Sequence, residues 1–288
     1  MHYAEYKTIL SPKNGINLYR GCTHGCIYCD SRSTCYQMKH EFEDIEVKKD
    51  AMRILEQQLR RRKSPCMINT GAMCDPYIPL EKDLQLTRQM LQLIEGYGFG
   101  VSLLTKSTLI LRDLDLITSI NRKTKAVAQL TLTTYDDALC QLIEPHVSVT
   151  SERYQALLKF KEQGVPSIVW LGPILPFIND SRENLEGILE YCLKAGVKGI
   201  LCFDFGVTLR EGDREYFYRM LDHSFPGVRQ KYEQYYGNSY LCRSPNQKEL
   251  NAIFTDFCSR YNMLTGMKAI FAYLSELPQS SVQLGLFD

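Results

Sequence analysis

Short apolar runs alternate with longer segments carrying a single apolar stripe through the first 205 residues. Runs of four to seven apolar residues bounded by Gly or Pro read as buried strands, and apolar positions three and four apart read as helices. The pattern predicts a strand over 16–20, then a helix over 50–62 with Met52, Leu55 and Leu59 inward. A second strand over 66–70 ends at Gly71, and a helix over 83–97 turns Leu84, Met90, Leu91 and Ile94 inward before Gly96 and Gly98 stop it. Strands over 101–105, 127–133, 167–171 and 197–205 follow, separated by helices over 109–120, 151–163 and 182–194. Ser151 is placed to cap its helix, and Gly164 and Gly196 close the last two.

Six strands joined by helical crossovers imply a parallel α/β sheet, either curled into a partial (β/α)6 barrel or left open and doubly wound. After residue 212 the periodicity becomes helical and aromatic, as in Tyr216-Phe217-Tyr218 and Arg229-Gln230-Lys231-Tyr232. The expected organisation is a barrel over 1–212, a helical C-terminal extension packed on it over 213–276, and a flexible tail over 277–288.

In such a barrel, catalytic groups gather in the loops at the C-terminal ends of the strands. The loop after the first strand carries Cys22, Cys26 and Cys29, a C-x3-C-x2-C triplet. Thiols this dense on one loop are ligands for a soft metal or cluster far more often than packing residues. A 4Fe–4S cluster and a structural zinc each take four ligands, so three thiolates leave one position open. A zinc site completed by His24 or Cys35 is the competing reading. The same rim receives Cys74 and Asp75 after the second strand and Lys106 after the third, with Thr131 and Thr133 in the fourth. The remaining eight cysteines are scattered, without a second CxxC pair, which argues against a disulfide framework and for a reducing, cytoplasmic setting. Net charge is +1, with 34 basic and 33 acidic residues, so charge alone makes no case for nucleic acid or membrane. No apolar run approaches the roughly 20 residues of a membrane span, and the first residues do not read as a signal peptide.

The triplet, with Tyr28 before its last cysteine, resembles the radical S-adenosylmethionine (SAM) superfamily. The longer run Asn17-Leu18-Tyr19-Arg20-Gly21-Cys22-Thr23-His24-Gly25-Cys26-Ile27-Tyr28-Cys29 is similar to the spore photoproduct lyase-like (DNA repair photolyase-like) family. So are Asp75-Pro76-Tyr77-Ile78-Pro79-Leu80-Glu81, Leu104-Thr105-Lys106-Ser107 and Gly172-Pro173-Ile174-Leu175-Pro176. The resemblance implies a six-stranded partial barrel of radical SAM type, with Cys22, Cys26 and Cys29 holding a 4Fe–4S cluster whose open iron chelates SAM. It implies a 5′-deoxyadenosyl radical acting on a nucleic-acid lesion or modified base, an electron donor such as flavodoxin or ferredoxin, and Cys74 and Asp75 as candidate catalytic groups. The cofactor contacts it implies are the backbone beside Tyr28 for the adenine, Gly71 and Ala72 for the amino group, Lys106 for the carboxylate, Thr131 and Thr133 for carboxylate or ribose hydroxyls, and Arg153 for the carboxylate. One departure stands out: the family's hydrogen-donating cysteine falls on Ala72, which argues against spore photoproduct itself as substrate. Radical modification of a peptide or small molecule, and a non-catalytic metal-binding adaptor, are the alternatives. Finally, Gln283, Leu284, Leu286 and Phe287 resemble the short peptide by which bacterial repair proteins dock on the DNA sliding clamp.

Overall fold

A computed structural model of the chain describes residues 1–71 and 73–278. The expectations at Ala72 and at Gln283, Leu284, Leu286 and Phe287 lie outside the described residues.

Twelve strands form among them. In chain order they are β1 (His2–Ala4), β2 (Gly15–Ile16), β3 (Tyr19–Arg20), β4 (Glu46–Lys48), β5 (Met67–Thr70), β6 (Gly100–Thr105), β7 (Ala126–Leu132), β8 (Ser167–Leu171), β9 (Gly199–Leu201), β10 (Gly206–Thr208), β11 (Leu241–Arg243) and β12 (Leu264–Thr265). The main sheet runs β12-β9-β8-β7-β6-β5-β2, parallel throughout. Its centre, β7, is buried along its whole length, because crossover helices cover the faces of a parallel sheet. The crossovers are α1 (Ala51–Arg60), α2 (Glu81–Leu84) with α3 (Leu86–Gly96), α4 (Leu114–Lys123), α5 (Asp137–Ile143) with α6 (Thr150–Glu162), and α7 (Arg182–Ala195).

The sheet has seven strands where the periodicity implied six. The seventh, β12, is two residues long and joins the edge at Gly199 and Ile200, so it offers no alternation to read. The first predicted strand divides: Gly15 and Ile16 pair with β5, while Tyr19 and Arg20 leave the barrel to pair antiparallel with β4. The helix expected over 83–97 breaks at Gln85, which adopts a left-handed φ of 51°. Glu81, fully buried, holds the break by accepting the Thr87 amide at 3.0 Å and the Arg112 guanidinium at 2.9 Å. Ser151 is not the cap of α6: the helix starts at Thr150, the Glu152 carboxylate accepts the Val149 amide at 3.0 Å, and the Ser151 amide donates to Asp137 at 2.9 Å.

The residues after 212 divide between the two ends of the barrel. The helices α8 (Asp213–Ser224) and α9 (Val228–Tyr236), inserted between the antiparallel partners β10 and β11, bury Phe217, Tyr218 and Tyr232 against Cys26, Ile27 and Tyr28 of the cysteine loop. The helix α10 (Gln247–Arg260) lies on α7, and α11 (Met267–Ser275) closes the opposite mouth. There Ile270 and Leu274 meet Met67, Val127 and Ile168, each within the first two residues of its strand. Each such side chain is worth roughly 1.5–3 kcal/mol of burial.

Asp213, at the start of α8, is almost fully buried; its Oδ1 accepts the Arg210 amide at 2.7 Å, but Oδ2 has no partner. Burial pushes this carboxyl up to about 6. A raised folded-state value means stability that is fully present below the unfolded pKa and lost as pH rises through the folded one. Asp213→Asn keeps the Oδ1 acceptor and removes the charge. It is expected to raise stability by about 1 kcal/mol at pH 7.5, with the gain vanishing by about pH 4, read from melting temperatures across pH.

Candidate functional site

The cysteine loop is held by its backbone. The Cys22 amide donates to Phe42 O at 3.0 Å, the Ile27 amide to Ile143 O at 3.0 Å, and the His146 amide to His24 O at 3.1 Å. Gly21 has φ +89°, and a Cβ there would lie 2.5 Å from Phe42 O, so the turn admits only glycine.

Below the loop lies a fully buried network. The Tyr28 hydroxyl donates to the Glu144 carboxylate, which also pairs with the Arg153 guanidinium. Arg153 further donates to Ser148 O (2.7 Å), Thr131 O (2.7 Å) and Cys140 Sγ (3.0 Å). Each of its three nitrogens donates inside the protein, and the side chain has no exposed surface. These hydrogen bonds hold Arg153 beneath the cysteine loop.

The three thiols face one cavity of ≈150 Å³ at the C-terminal ends of the strands. Gly71, Met73, Cys74 and Asp75 line it from beyond β5, Leu104, Thr105 and Lys106 from β6 and its end, and Thr131 from β7. Gly71 has φ +85°, and a Cβ on it would meet Leu104 O at 2.3 Å. Burial pushes the Cys22 thiol up to about 12 and raises Cys26 and Cys29 as well, so thiolates form here only beside a compensating cation. Burial alone pulls the Lys106 ammonium down, but Cys26, Glu144, Asp75 and Cys29 around it outweigh that and hold it above its ordinary value. Among the described residues Lys106 makes no ion pair; its Nζ stands 5.9 Å from the centre of the Tyr28 ring.

The other expected residues sort clearly. Thr131 lines the cavity; Thr133 does not, although its hydroxyl is buried without a partner. Asp75 accepts the Tyr77 amide (2.8 Å), the Thr105 hydroxyl (2.6 Å) and the Lys106 amide (2.8 Å). Its carboxylate stitches the loop after β5 to the end of β6. The Cys74 thiol, kept neutral by burial, lines the cavity and points to Gly21 O at 2.8 Å. Cys35 is exposed beside Ser33 and Arg210 and takes no part in the cavity.

Two residues were missed. Glu144 has no motif around it, and its role exists only through partners 9 and 116 positions away. His24, seen in the sequence only as a possible zinc ligand, is buried with Nδ1 3.5 Å from Asp75 Oδ2, and burial lowers its pKa. It also lines a second cavity of ≈490 Å³ with Lys82, Arg112 and His146.

The donor set distinguishes a cluster from a single ion. Around a tetrahedral zinc, sulfurs sit about 3.8 Å apart, from Zn–S bonds of about 2.3 Å. Among the described residues the triplet does not gather within 4.8 Å, and only His2, His40 and Asp44 do. Three separated thiols around one cavity fit a 4Fe–4S cluster with an open corner.

The sequence profile of the radical SAM superfamily matches residues 16–192. The chain belongs to the radical SAM superfamily. Members of this superfamily use a 4Fe–4S cluster and SAM. An uncharacterized protein of Mycobacterium tuberculosis (strain ATCC 25618 / H37Rv) is 29% identical over 234 residues, covering 77% of this chain and 66% of the relative. An uncharacterized protein of Methanocaldococcus jannaschii is 31% identical over 167 residues, 57% of this chain and 61% of that one. The chain thus spans just under two thirds of these relatives. Among solved structures, a spore photoproduct lyase mutant with bound AdoMet and dinucleoside spore photoproduct superposes with a TM-score of 0.59 at 16% identity, covering 85% of this chain and 72% of the other. Streptococcus suis SuiB bound to precursor peptide SuiA gives 0.51 at 15% identity, covering 94% and 50%. At these identities the likeness is one of fold: a partial barrel of radical SAM type.

Proposed function

We propose that Cys22, Cys26 and Cys29 hold the cluster and that the adjoining cavity receives SAM, the enzyme acting on a lesion or modified base in nucleic acid. The observation that carries this reading is the single cavity shared by the three thiols and the ends of β5, β6 and β7. A cluster held by Cys22, Cys26 and Cys29 would supply the electron for reductive cleavage of SAM. The chain supplies the rest. Lys106 offers a cation to the cofactor carboxylate, Thr131 a hydroxyl, and the bend at Gly71 a backbone edge for the amino group. The backbone beside Tyr28 faces the adenine, in a loop that the Glu144–Arg153 pair keeps rigid. Cys74 is the thiol placed to return a hydrogen atom, since Ala72 occupies the position where spore photoproduct lyases carry theirs.

The nucleic-acid substrate rests on the motif resemblance and on the lesion carried by the spore photoproduct lyase neighbour. The peptide bound by the SuiB neighbour keeps a peptide substrate as the alternative. A flavodoxin or ferredoxin is the electron donor in this reading, and the tail at Gln283, Leu284, Leu286 and Phe287 recruits the enzyme to the sliding clamp. Eleven free cysteines suit a reducing cytoplasm. Among the described residues no helix is long and apolar enough to cross a membrane.

The test is release of 5′-deoxyadenosine by the anaerobically reconstituted enzyme with dithionite and SAM. Ultraviolet-irradiated oligonucleotide is expected to stimulate release several-fold over intact oligonucleotide, with a mass change in the damaged strand. Release that ignores every nucleic acid offered would reject the substrate, and no release at all would reject the cofactor site.

A further inference from the structure

A second cluster of ligating side chains lies behind the cysteine loop. β1 carries His2, and the segment between residues 37 and 45 brings His40 and Asp44 to it. One ligating atom from each of the three lies within 4.8 Å of the other two. The two imidazoles meet edge to face, with centroids 4.8 Å apart.

The tautomer of His40 follows from its partners. Its Nδ1 lies 2.9 Å from Glu41 O. A carbonyl only accepts, so Nδ1 carries the hydrogen, and in the neutral ring Nε2 presents a lone pair. That Nε2 is buried and has no hydrogen-bond partner. It faces Glu46 Oε2 at 3.9 Å, and His2 Nε2 faces the same oxygen at 3.6 Å. Asp44 Oδ2 stands 2.9 Å from His2 Nδ1. Asp44 Oδ1 also pairs with the Met1 amino group at 2.7 Å, so Asp44 closes the Nδ1 side of His2 while the His40 lone pair and Glu46 meet on its Nε2 side. The ring held by a backbone carbonyl on its far nitrogen is the usual arrangement behind a metal-bound histidine. Glu46 is itself fixed by the Tyr6 hydroxyl. Asp44 and His2 are each about two-fifths exposed, which leaves an entry path.

We propose that His2, His40 and Asp44 bind a divalent transition metal of the zinc class, with Glu46 beside the two rings. Two imidazoles and carboxylate oxygens suit zinc better than a hard cation such as magnesium. Phe42 sits between His40 and Asp44 in the chain, and its carbonyl accepts the Cys22 amide. Metal here ties that segment to β1 and firms the backbone behind the first cysteine.

The experiment uses the full chain with its cluster assembled, so that zinc cannot occupy the cysteine triplet. The protein is dialysed against zinc alone and its zinc and iron are measured together. One zinc per chain is expected beside the cluster iron. His40→Ala and Asp44→Asn should each weaken zinc binding at least about a hundredfold while iron is retained, since even outer-sphere partners are worth about 10–100-fold. Asp44→Asn preserves shape, and circular dichroism identifies any variant that has lost its fold. Absence of zinc from the loaded protein, or zinc retained with unchanged affinity in a folded Asp44→Asn chain, overturns the site and leaves the cysteine cavity untouched.

Discussion

Replacing any one of Cys22, Cys26 or Cys29 by alanine is expected to remove the cluster iron and cut 5′-deoxyadenosine release by roughly a thousandfold or more, about 4 kcal/mol of barrier. The expectation follows from a shared cavity on which the three thiols of one loop converge; Cys74, the other cysteine lining it, is turned to Gly21 O at 2.8 Å. Losing one thiol leaves two protein ligands for a cluster that needs three. The fold should survive each change, because the loop is anchored by the Cys22, Ile27 and His146 amides rather than by sulfur. Cys35→Ala is the control: its thiol is exposed, lies against Ser33 and Arg210, and should change neither iron nor turnover. Iron content and product release measured on the same preparations decide the matter. A triplet variant that still releases 5′-deoxyadenosine would refute the ligand assignment, and loss of activity in Cys35→Ala would revive the competing zinc reading.

Local chemistry was legible in the sequence, and long-range chemistry was not. The crossover helices and buried strands came from periodicity, and the cysteine cavity from a spacing within eight residues. Gly71 and Lys106 could be placed because they end strands, and strand ends converge in a barrel. What escaped depends on partners far along the chain. Gln85 breaks its helix because Glu81 is buried against Arg112 and Tyr19, and no local pattern marks Glu81 as a buried ion. The strand β12 exists because Gly199 leaves room for Leu264, whose carbonyl would lie 2.4 Å from any Cβ there. Asp75 and Arg153 were read as catalytic and cofactor-binding because a charged residue near a rim has those two uses by default. Their hydrogen bonds to Thr105, Lys106, Ser148 and Glu144 give them a second use, holding distant segments together, which no local pattern reveals.

Arg153→Met tests that distinction. The side chain is fully buried, and removing its charge strands the Glu144 carboxylate in the interior. Breaking a buried pair in this way costs about 3–5 kcal/mol. The Tyr28 hydroxyl would remain as a partner to Glu144 and keeps the loss toward the lower end. Burial pushes the Glu144 carboxyl up, but Arg153, Lys106 and Tyr28 outweigh it and hold it below its ordinary value. A depressed carboxylate contributes stability that is present above its unfolded pKa and lost as pH falls through the folded one. The gap in melting temperature between wild type and Arg153→Met should therefore be widest near neutral pH and narrow toward pH 4, where the stranded carboxyl takes a proton. Adding Glu144→Gln should recover part of the loss, giving a coupling in the double-mutant cycle. Iron loading should fall together with stability, because the network supports Tyr28 between Cys26 and Cys29. A variant of unchanged stability whose only defect is a raised KM for SAM would instead make Arg153 a contact to the cofactor, since a residue that merely supports the loop cannot weaken SAM binding without loosening the fold beneath it.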